Sequence, residues 1–413
     1  MKVEERFLKY VSYWTTSCED QEQIPSTARE FDLGQELAAE LTDMGLSRVT
    51  CDEHCHVYGL LPATEGWEHK HSIGFISHMD TSPDFSGENV RPNVIADYDG
   101  NDVVLQGTGD VLKVSDFPRL AACKGQTLIV TDGTTLLGAD DKAGVAEIFT
   151  AVEQIIRDKI PHGDIWVGIT PDEEIGRGAD AFDLDYFQAD YAYTVDGDYE
   201  GEICYENFNA ASAVFEIHGV SVHPGTAKDI MINAASVACE IQHMLPPMEV
   251  PEHTEARQGF YHLTGMQGDT AKARLMYIVR DHSADCFEKR LAFLREVKQK
   301  INEKYGEHTA VLTITESYRN MLEVMEEHFY IVEKAEKAMR SVGVVPASVP
   351  IRGGTDGARL SFLGLPCPNL GTGGDGFHGP LEHITVEAME KVVKVLVEIM
   401  KHPGEKESTV RSW

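Results

Sequence analysis

The sequence predicts an α/β fold into which a smaller α+β domain is inserted. Residues 1 to about 206 alternate helical and strand-like segments, a pattern typical of a sheet with helices on its faces. From about 207 to 320 the segments read as a small sheet with two long helices, and from about 321 the α/β alternation returns. We therefore expect one domain built from residues 1–206 and 321–413, with an inserted domain of residues 207–320.

The elements of the outer domain follow from hydrophobic periodicity. The segment TAREFDLGQELAAELTDMG has apolar residues at helical spacing and ends in glycine, as many helices do. Apolar runs predict strands in HSIGFISHMD, DIWVGIT and ADYAYTV, and helical spacing predicts helices in GVAEIFTAVEQIIRD and TVEAMEKVVKVLVEIMK. Ligands of such sheets bind beyond the carboxyl ends of the strands, so polar residues just after these strands are candidate functional residues.

The inserted segment predicts a small open sheet covered by two helices. Its strand-like segments are ASAVFEIHG, YHLTGMQGD, AKARLMYIVRD and AVLTITESY. The helical segments are MINAASVACEIQHML and CFEKRLAFLREVKQKINEKYG. The second helix would place one apolar face against the sheet. That face consists of Phe287, Leu291, Leu294, Val297 and Ile301.

The composition excludes some classes of partner. A formal net charge of -32 argues against nucleic acid and against an anionic membrane surface, because both need a basic footprint. No apolar run approaches the roughly 20 residues of a membrane-spanning helix, and the first residues lack the apolar core of a signal peptide. The eight cysteines are scattered without the spacing of a disulfide framework. We expect a cytoplasmic protein with reduced thiols.

One cluster of possible metal ligands has a simpler explanation. The stretch CDEHCH contains Cys51, His54, Cys55 and His56, but no second ligand pair follows to complete a structural zinc site. The surrounding residues alternate as in a strand, with VYGLL as a second strand. The pattern therefore favours a β-hairpin over a zinc knuckle.

Polar residues with metal-binding chemistry follow several predicted strands or begin a predicted helix. Singly, each has an ordinary explanation, such as a buried histidine, a helix N-cap or a turn residue. Together, two histidines and several carboxylates at one sheet edge would be too many unpaired charges without cations, and imidazoles mixed with carboxylates suit zinc or a similar divalent ion. The residues are His78, Asp80, Asp140, Asp141, Glu173, Glu174, Asp196 and His378.

Seven motifs resemble those of the M20 family of di-zinc metallopeptidases, and within it the branch of tripeptide aminopeptidases. They are SHMDT, LLGADDKAGVAEI, PDEEIGRG, YENFNAAS, HPGTAKDIMINA, RGGTDGARLSFLGLP and FHGPLE, and they extend over nearly the whole chain. The resemblance implies a zinc-peptidase-like catalytic α/β domain with an inserted ferredoxin-like lid or dimerisation domain. It also implies two Zn²⁺ per chain, small peptide substrates and a possible homodimer.

The resemblance implies a role for each candidate ligand. Asp140 corresponds to the carboxylate that bridges both zinc ions. His78 and Asp196 would complete one zinc site, and Glu174 and His378 would complete the other.

Two further acidic residues would act beside the metals. Asp80 would orient the imidazole of His78. Glu173 would bind no metal and would serve as general base to the attacking water. The two adjacent glutamates of PDEEIG would then have different functions.

Four residues would act on the substrate side. By resemblance, His223 would stabilise the oxyanion, although a histidine before proline is also common in surface loops. Asn233, Arg280 and Arg352 would contact the peptide, with Arg352 as a fork for its C-terminal carboxylate. Arginines near strand ends also form structural ion pairs, which is the alternative for both arginines.

The resulting hypothesis is a cytoplasmic di-zinc aminopeptidase that releases the N-terminal residue of short peptides, above all tripeptides. The alternatives are a related dipeptidase, carboxypeptidase or N-deacylase, and a non-enzymatic binding protein on the same scaffold. Departures from the branch pattern, such as GGDGFHG without the asparagine often found before the last ligand, lie around the substrate pocket. They remove no ligand, so they bear on peptide length and side-chain preference.

Overall fold

The computed structural model describes residues 1–405. Its strands are β1 (Ser47–Cys51), β2 (Val57–Leu61), β3 (Ile73–His78), β4 (Asn93–Ile95), β5 (Val103–Val104), β6 (Val111–Leu112), β7 (Leu128–Val130), β8 (Ile165–Thr170), β9 (Tyr191–Val195), β10 (Glu202–Cys204), β11 (Asn209–His218), β12 (Phe260–Gly268), β13 (Lys272–Asp281), β14 (Ala310–Tyr318), β15 (Ala347–Ser348), β16 (Asn369–Leu370), β17 (Gly374–Asp375) and β18 (His383–Thr385). Its α-helices are α1 (Val3–Tyr10), α2 (Glu30–Asp43), α3 (Ala139–Arg157), α4 (Ala234–Met244), α5 (Ala284–Tyr305), α6 (Leu322–Met325), α7 (Tyr330–Ser341), α8 (Asp356–Phe362) and α9 (Val386–Lys401).

The chain folds into two compact units. The first consists of Met1–Tyr205, Val324–Val349 and the described residues from Thr355 onward. The second consists of Glu206–Glu323 and Pro350–Gly354, so a short segment around Arg352 belongs to this unit.

The first unit is built on an eight-stranded mixed sheet with the order β1-β2-β8-β3-β9-β16-β10-β15. At its centre, β3 lies parallel to both β8 and β9. All residues of these three strands are buried, as expected for parallel strands that are covered on both faces. Helix α3 packs on β3 and β9 and also contacts α9. On the sheet, Ile76 and Trp166 belong to an apolar cluster with Phe182, Phe187 and Leu360.

Two smaller sheets complete the first unit. One has the order β17-β18-β7-β4, and the other is the β5-β6 pair. The predicted hairpin of the CDEHCH stretch is confirmed, since β1 pairs antiparallel with β2 and Cys51 lies opposite Val57.

The second unit has the element order β11-α4-β12-β13-α5-β14 and an antiparallel sheet ordered β12-β13-β11-β14, which is the ferredoxin-like arrangement. Helix α5 begins after Ser283, whose hydroxyl accepts from the N–H of Cys286 at 3.3 Å. The five residues predicted for its apolar face are all buried. The α/β class with a ferredoxin-like insertion is confirmed. Among the helices of residues 1–405, none combines the length and apolar character needed to span a bilayer.

Candidate metal centre

The parallel strands bring the predicted ligands to one edge of the central sheet. β3 ends at His78, β8 ends shortly before the 3₁₀ turn Glu173–Ile175, and β9 ends one residue before Asp196. Because β3 lies between β8 and β9 and runs parallel to both, these strand ends meet at the same edge. Asp140 joins them from the first turn of α3.

Two groups of side chains could each hold a metal ion. The ligand atoms of His78, Asp140 and Glu174 all lie within 4.8 Å of one another, as do those of His78, Asp141 and Asp196. His78 belongs to both groups, so the two candidate positions are adjacent. The two groups contain four of the five predicted ligands. They also contain Asp141, a candidate residue to which the sequence assigned no role.

The Asp140 carboxylate lies between two imidazoles. Its Oδ1 is 3.0 Å from Nε2 of His78, and its Oδ2 is 3.3 Å from Nε2 of His378. Burial alone would raise the pKa of this carboxyl, but the bonds to His378 and His78 outweigh it and hold that pKa below its ordinary value. A carboxylate that directs one oxygen to each side is suited to bridge two cations. The fifth predicted ligand, His378, is therefore also at this site.

Each imidazole is oriented by an acid at its other nitrogen. Nδ1 of His78 lies 3.2 Å from Oδ1 and 3.1 Å from the carbonyl oxygen of Asp80, and Nδ1 of His378 lies 3.3 Å from Oδ2 of Asp84. A proton on Nδ1 that is donated to these oxygens leaves the Nε2 lone pair for a metal. Asp84 was not predicted, because nothing in the sequence connects it with a histidine 294 positions away.

The raised pKa values of the two histidines reflect the negative charge of the site. Burial opposes the charge of His78, but its hydrogen bonds with Asp140 and Asp80 raise its pKa well above the ordinary value. Hydrogen bonds with Asp140 and Glu174 raise the pKa of His378 to about 11, against the effect of burial. The excess of acids that raises these pKa values is the same excess that would attract a cation.

The two adjacent glutamates lie in a turn that is fixed from two sides. Asp80 accepts hydrogen bonds from the backbone N–H of Glu173 at 3.0 Å and of Glu174 at 3.2 Å. The carboxylate of Asp172 accepts from the backbone N–H of Ser26 at 2.6 Å and from the Ser26 hydroxyl. Glu174 Oε2 lies 2.9 Å from Nε2 of His378, whereas Glu173 belongs to neither candidate metal group.

The carboxylates at this edge fit divalent cations. Burial raises the pKa of Glu173 well above its ordinary value, that of Glu174 to about 8 and that of Asp196 to about 7. Oε1 of Glu174 is buried and has no hydrogen-bond partner among the described residues. Buried carboxylates in this number need positive charge beyond the histidines, and a mixed oxygen and imidazole set suits a divalent metal.

Two further acids support the site: Glu382, which the sequence does not single out, and Asp141, which it marks as a candidate without a role. Glu382 Oε2 accepts from the N–H groups of Leu137 at 2.7 Å and Gly138 at 2.9 Å, while its Oε1 accepts from that of Asp140 at 3.0 Å. Asp141 Oδ2 accepts from the N–H of His78 at 3.1 Å and from a serine hydroxyl. Glu382 stands in the FHGPLE motif, and this position was the only signal for it in the sequence.

The four predicted substrate residues all lie in the second unit. Nδ1 of His223 accepts from the N–H of Gly225 at 3.1 Å, and Oδ1 of Asn233 caps helix α4 by accepting from the N–H of Ser236 at 3.2 Å. These contacts are local, so the predicted roles in substrate binding stay predictions.

The two arginines make contacts within their own unit. Arg280 donates to the carbonyl oxygen of Val279 at 3.1 Å, and its guanidinium lies 5.3 Å from the ring centre of Tyr318. Arg352 donates from Nη1 to the carbonyl oxygens of Ala256 at 2.6 Å and Gln258 at 3.2 Å, and from Nη2 to Thr254. It also lies 5.0 Å from the ring centre of Phe208 and 5.6 Å from that of Phe260. Both arginines thus have structural partners, although these are carbonyls and rings rather than acids.

An α/β domain with this acid-and-imidazole centre and a ferredoxin-like unit matches a known class of hydrolase. Residues 131–402 match the family described as Peptidase family M20/M25/M40, and the chain belongs to this family. The expected family resemblance is thereby confirmed.

The relatives identify the branch. A protein of Caldanaerobacter subterraneus named Peptidase T is 53% identical over 407 residues, which are 98% of this chain and 99% of the relative. The Peptidase T of Clostridium acetobutylicum is 52% identical over 98% of this chain and 100% of its own. The solved aminopeptidase PepT from Bacillus cereus has a TM-score of 0.78 and 25% identity, over 97% of this chain and 98% of that chain.

Proposed function

We propose that the chain is a metal-dependent tripeptide aminopeptidase, which hydrolyses the N-terminal residue from short peptides. The observation that carries this proposal is the Asp140 carboxylate between His78 and His378, with Glu173 next to Glu174 in the chain and outside both candidate metal groups. The name Peptidase T, borne by relatives at 52–53% identity over nearly the whole chain, supports the substrate class.

The proposed cofactor is a pair of zinc ions. His78, Asp140 and Asp196 would hold one, and Asp140, Glu174 and His378 would hold the other. The convergence of imidazole nitrogens with carboxylate oxygens favours zinc over magnesium or calcium, which prefer oxygen ligands alone. When bound, such a pair would polarise the peptide carbonyl and lower the pKa of the attacking water.

Glu173 is the proposed general base and acid. Its carboxylate would take a proton from the attacking water and then deliver that proton to the leaving amine. Asp80 would keep this carboxylate in position, since it holds the backbone N–H groups of both glutamates. Glu173 is suited to this role because it binds no metal in the proposed arrangement, so its carboxylate stays free to exchange a proton.

His223 is the proposed donor to the oxyanion. Its Nδ1 accepts a hydrogen bond from the N–H of Gly225, so the proton of the neutral ring must be on Nε2. That N–H is then a donor for the developing negative charge. We propose Asn233, Arg280 and Arg352 as contacts to the peptide. The amide N–H groups of Asn233 remain donors, because its oxygen is the atom that caps helix α4.

The proposal also includes the domain organisation, the oligomeric state and the cellular location. Residues 1–206 and 321–413 would form the catalytic domain and residues 207–320 a lid or dimerisation domain of a homodimer. The protein would act in the cytoplasm on small peptides, with no nucleic acid or membrane as partner, in keeping with its net charge of -32.

Hydrolysis of a peptide panel tests the proposal. The zinc-loaded protein would be incubated with di-, tri- and tetrapeptides, each free and N-acetylated, and the products identified by mass. Tripeptides should give the highest kcat/KM, release of the N-terminal residue should be the first cut, and N-acetylated peptides should be nearly inert. Equal rates on N-acetyl amino acids would identify a deacylase instead, and release of the C-terminal residue would identify a carboxypeptidase.

A further inference from the structure

The hairpin of β1 and β2 carries two cysteines that the proposed peptidase function does not use. Cys51 is the last residue of β1, and Cys55 lies in the turn that leads to β2. The N–H of Cys55 donates to the carbonyl of Asp52 at 3.1 Å, and the N–H of Asp52 donates to that of His56 at 2.9 Å. This tight turn brings the two side chains to the same side of the hairpin.

Both sulfur atoms converge on Gly34 in helix α2. A Cβ at Gly34 would lie 2.8 Å from Sγ of Cys55 and 3.2 Å from Sγ of Cys51. The two sulfur atoms therefore fill the space that a side chain on the helix would occupy, and they lie close to each other. The Cys55 thiol also donates to Sδ of Met79, which lies 3.8 Å from its Sγ. Glycine is unfavourable inside a helix, so its presence here makes room for the sulfur pair.

The two thiols differ in exposure and acidity. Cys51 is half-buried, whereas Cys55 is fully buried. The neighbouring thiol of Cys55 lowers the pKa of Cys51 despite its burial, and the neighbouring Cys51 together with burial raises the pKa of Cys55. An accessible, more acidic thiol beside a protonated second thiol is the arrangement of an attacking cysteine and its resolving partner.

We propose that Cys51 and Cys55 form a peroxide-reactive dithiol that closes to an intramolecular disulfide. The Cys51 thiolate attacks one oxygen of hydrogen peroxide and the O–O bond breaks, which gives a Cys51 sulfenic acid and, after proton uptake, water. The Cys55 sulfur then attacks the Cys51 sulfur, the S–O bond breaks, and the Cys55 proton leaves with the hydroxide as a second water. Two thiols lose two electrons, and one peroxide is reduced to two waters. A dithiol reductant reverses the reaction.

Alkylation and peptide mass mapping test this proposal on the full-length protein. Cys239 and Cys286 are exposed, so both would first be replaced by serine to remove unrelated oxidation. The protein would be treated with hydrogen peroxide, quenched, denatured, alkylated and digested with trypsin. Because no lysine or arginine lies between Arg48 and Lys70, both cysteines fall in the tryptic peptide 49–70.

The expected result is a 49–70 peptide that carries no alkyl group and is lighter than the reduced peptide by two hydrogens. A dithiol reductant before alkylation should restore both alkyl groups. Cys123 is the matched control, because it is also half-buried but burial raises its pKa, and it should remain alkylated. Two retained alkyl groups in peptide 49–70, or oxidation of Cys51 beyond sulfenic acid while Cys55 stays alkylated, would overturn the proposal.

Single variants separate the two functions within the pair. Cys55→Ser should stop the reaction at a Cys51 sulfenic acid, which a 1,3-dione reagent would trap. Cys51→Ser should leave Cys55 unoxidised, because that thiol is fully buried. Trapping at Cys55 rather than at Cys51 would contradict the assignment of the attacking thiol. None of these readouts depends on peptidase activity.

Discussion

The Asp80 carboxylate accepts a hydrogen bond from the backbone N–H of Glu173 at 3.0 Å, and a second from that of Glu174 at 3.2 Å. The same carboxylate lies 3.2 Å from Nδ1 of His78 and is fully buried. One acid thus connects a candidate metal ligand with the turn that carries the proposed base. An acid two residues after His78 can therefore orient the imidazole and fix the turn of Glu173 at the same time.

Replacing Asp80 by asparagine should weaken metal binding and catalysis together. Asparagine keeps the size but presents an N–H₂ group where Asp80 accepts bonds, so it disturbs both the imidazole and the turn. We expect a loss of about 10–100-fold in metal affinity or in kcat, as is typical for partners of metal-bound histidines. Asp84→Asn is the matched control, since Asp84 orients His378 in the same way but is 71% exposed. Equal losses in the two variants would contradict the special position of Asp80.

Removal of the His223 imidazole should affect kcat and leave the metal centre loaded. If its Nε2–H donates to the oxyanion, His223→Ala should lower kcat by about 10²–10³, as for the loss of one oxyanion donor. His218→Ala provides the control, because His218 is an exposed histidine of the same unit. Steady-state kinetics with elemental analysis checks the prediction. An unchanged kcat would place His223 among ordinary surface-loop histidines.

Arg352 can be tested by changing the substrate as well as the protein. If its guanidinium binds the peptide's C-terminal carboxylate, Arg352→Met should lower kcat/KM for a free tripeptide by roughly 10–100-fold, the value of a charge-assisted hydrogen bond. The same tripeptide with an amidated C-terminus should be affected much less. Because Arg352 also donates to the carbonyl oxygens of Ala256 and Gln258, the folded variant should be less stable whether or not the arginine binds substrate. A loss of stability without any change in the preference for a free carboxylate would leave Arg352 with a structural role only.

The long elements and the strand-end ligands were predictable because both depend on local patterns. The five apolar residues of α5 recur at helical spacing. His78 ends and Asp196 directly follows the mainly apolar segments that form the parallel strands β3 and β9. Which glutamate of the pair binds metal had no local signal and came from the family resemblance.

The parts that were not predicted are short or depend on distant contacts. Strands β4 to β7, β17 and β18 have only two or three residues, too few to show a period of two. Glu382 is 245 positions from Leu137, and only the folded chain shows that its carboxylate holds the loop before Asp140. Arg352 was expected in the catalytic domain, but its carbonyl and ring partners belong to the second unit.

Lys334 should make the protein more stable as the pH rises from about 8 to 10. Burial lowers the pKa of its ammonium group to about 8, and it donates to Tyr191 Oη at 2.9 Å. Between that pKa and the unfolded value of about 10.4, the unfolded chain still binds the proton that the folded chain has lost. The free energy of unfolding therefore increases with pH over this range, and this gain is lost as the pH falls through 8. Denaturant unfolding at several pH values measures this slope.

Lys334→Met should remove that part of the slope, because methionine keeps an apolar stem without a titrating group. Lys337→Met is the control on the same helix, since Lys337 is exposed. The difference between the two variants cancels the contribution of other groups that titrate in this range. A slope that is the same in both variants would show that Lys334 does not couple to folding.

The two adjacent glutamates should respond differently to the same substitution. Glutamine keeps the size of glutamate but cannot accept the proton. If Glu173 is the base, Glu173→Gln should retain both metal ions and bind peptide, while its rate falls by at least about 10²–10⁴. If Glu174 is a ligand, as its approach of 2.9 Å to His378 Nε2 suggests, Glu174→Gln should lose metal from one site.

Metal content and rescue distinguish the two roles. Excess zinc should restore part of the activity of Glu174→Gln, because it refills a weakened site, and should do nothing for Glu173→Gln, whose missing group is not a ligand. Elemental analysis after dialysis, with activity measured in the presence and absence of added zinc, checks both variants. Glu173 lies in neither candidate metal group, so its replacement leaves the cage of imidazoles and carboxylates intact. Should Glu173→Gln lose metal while Glu174→Gln keeps two ions, the assignments of the two glutamates must be exchanged.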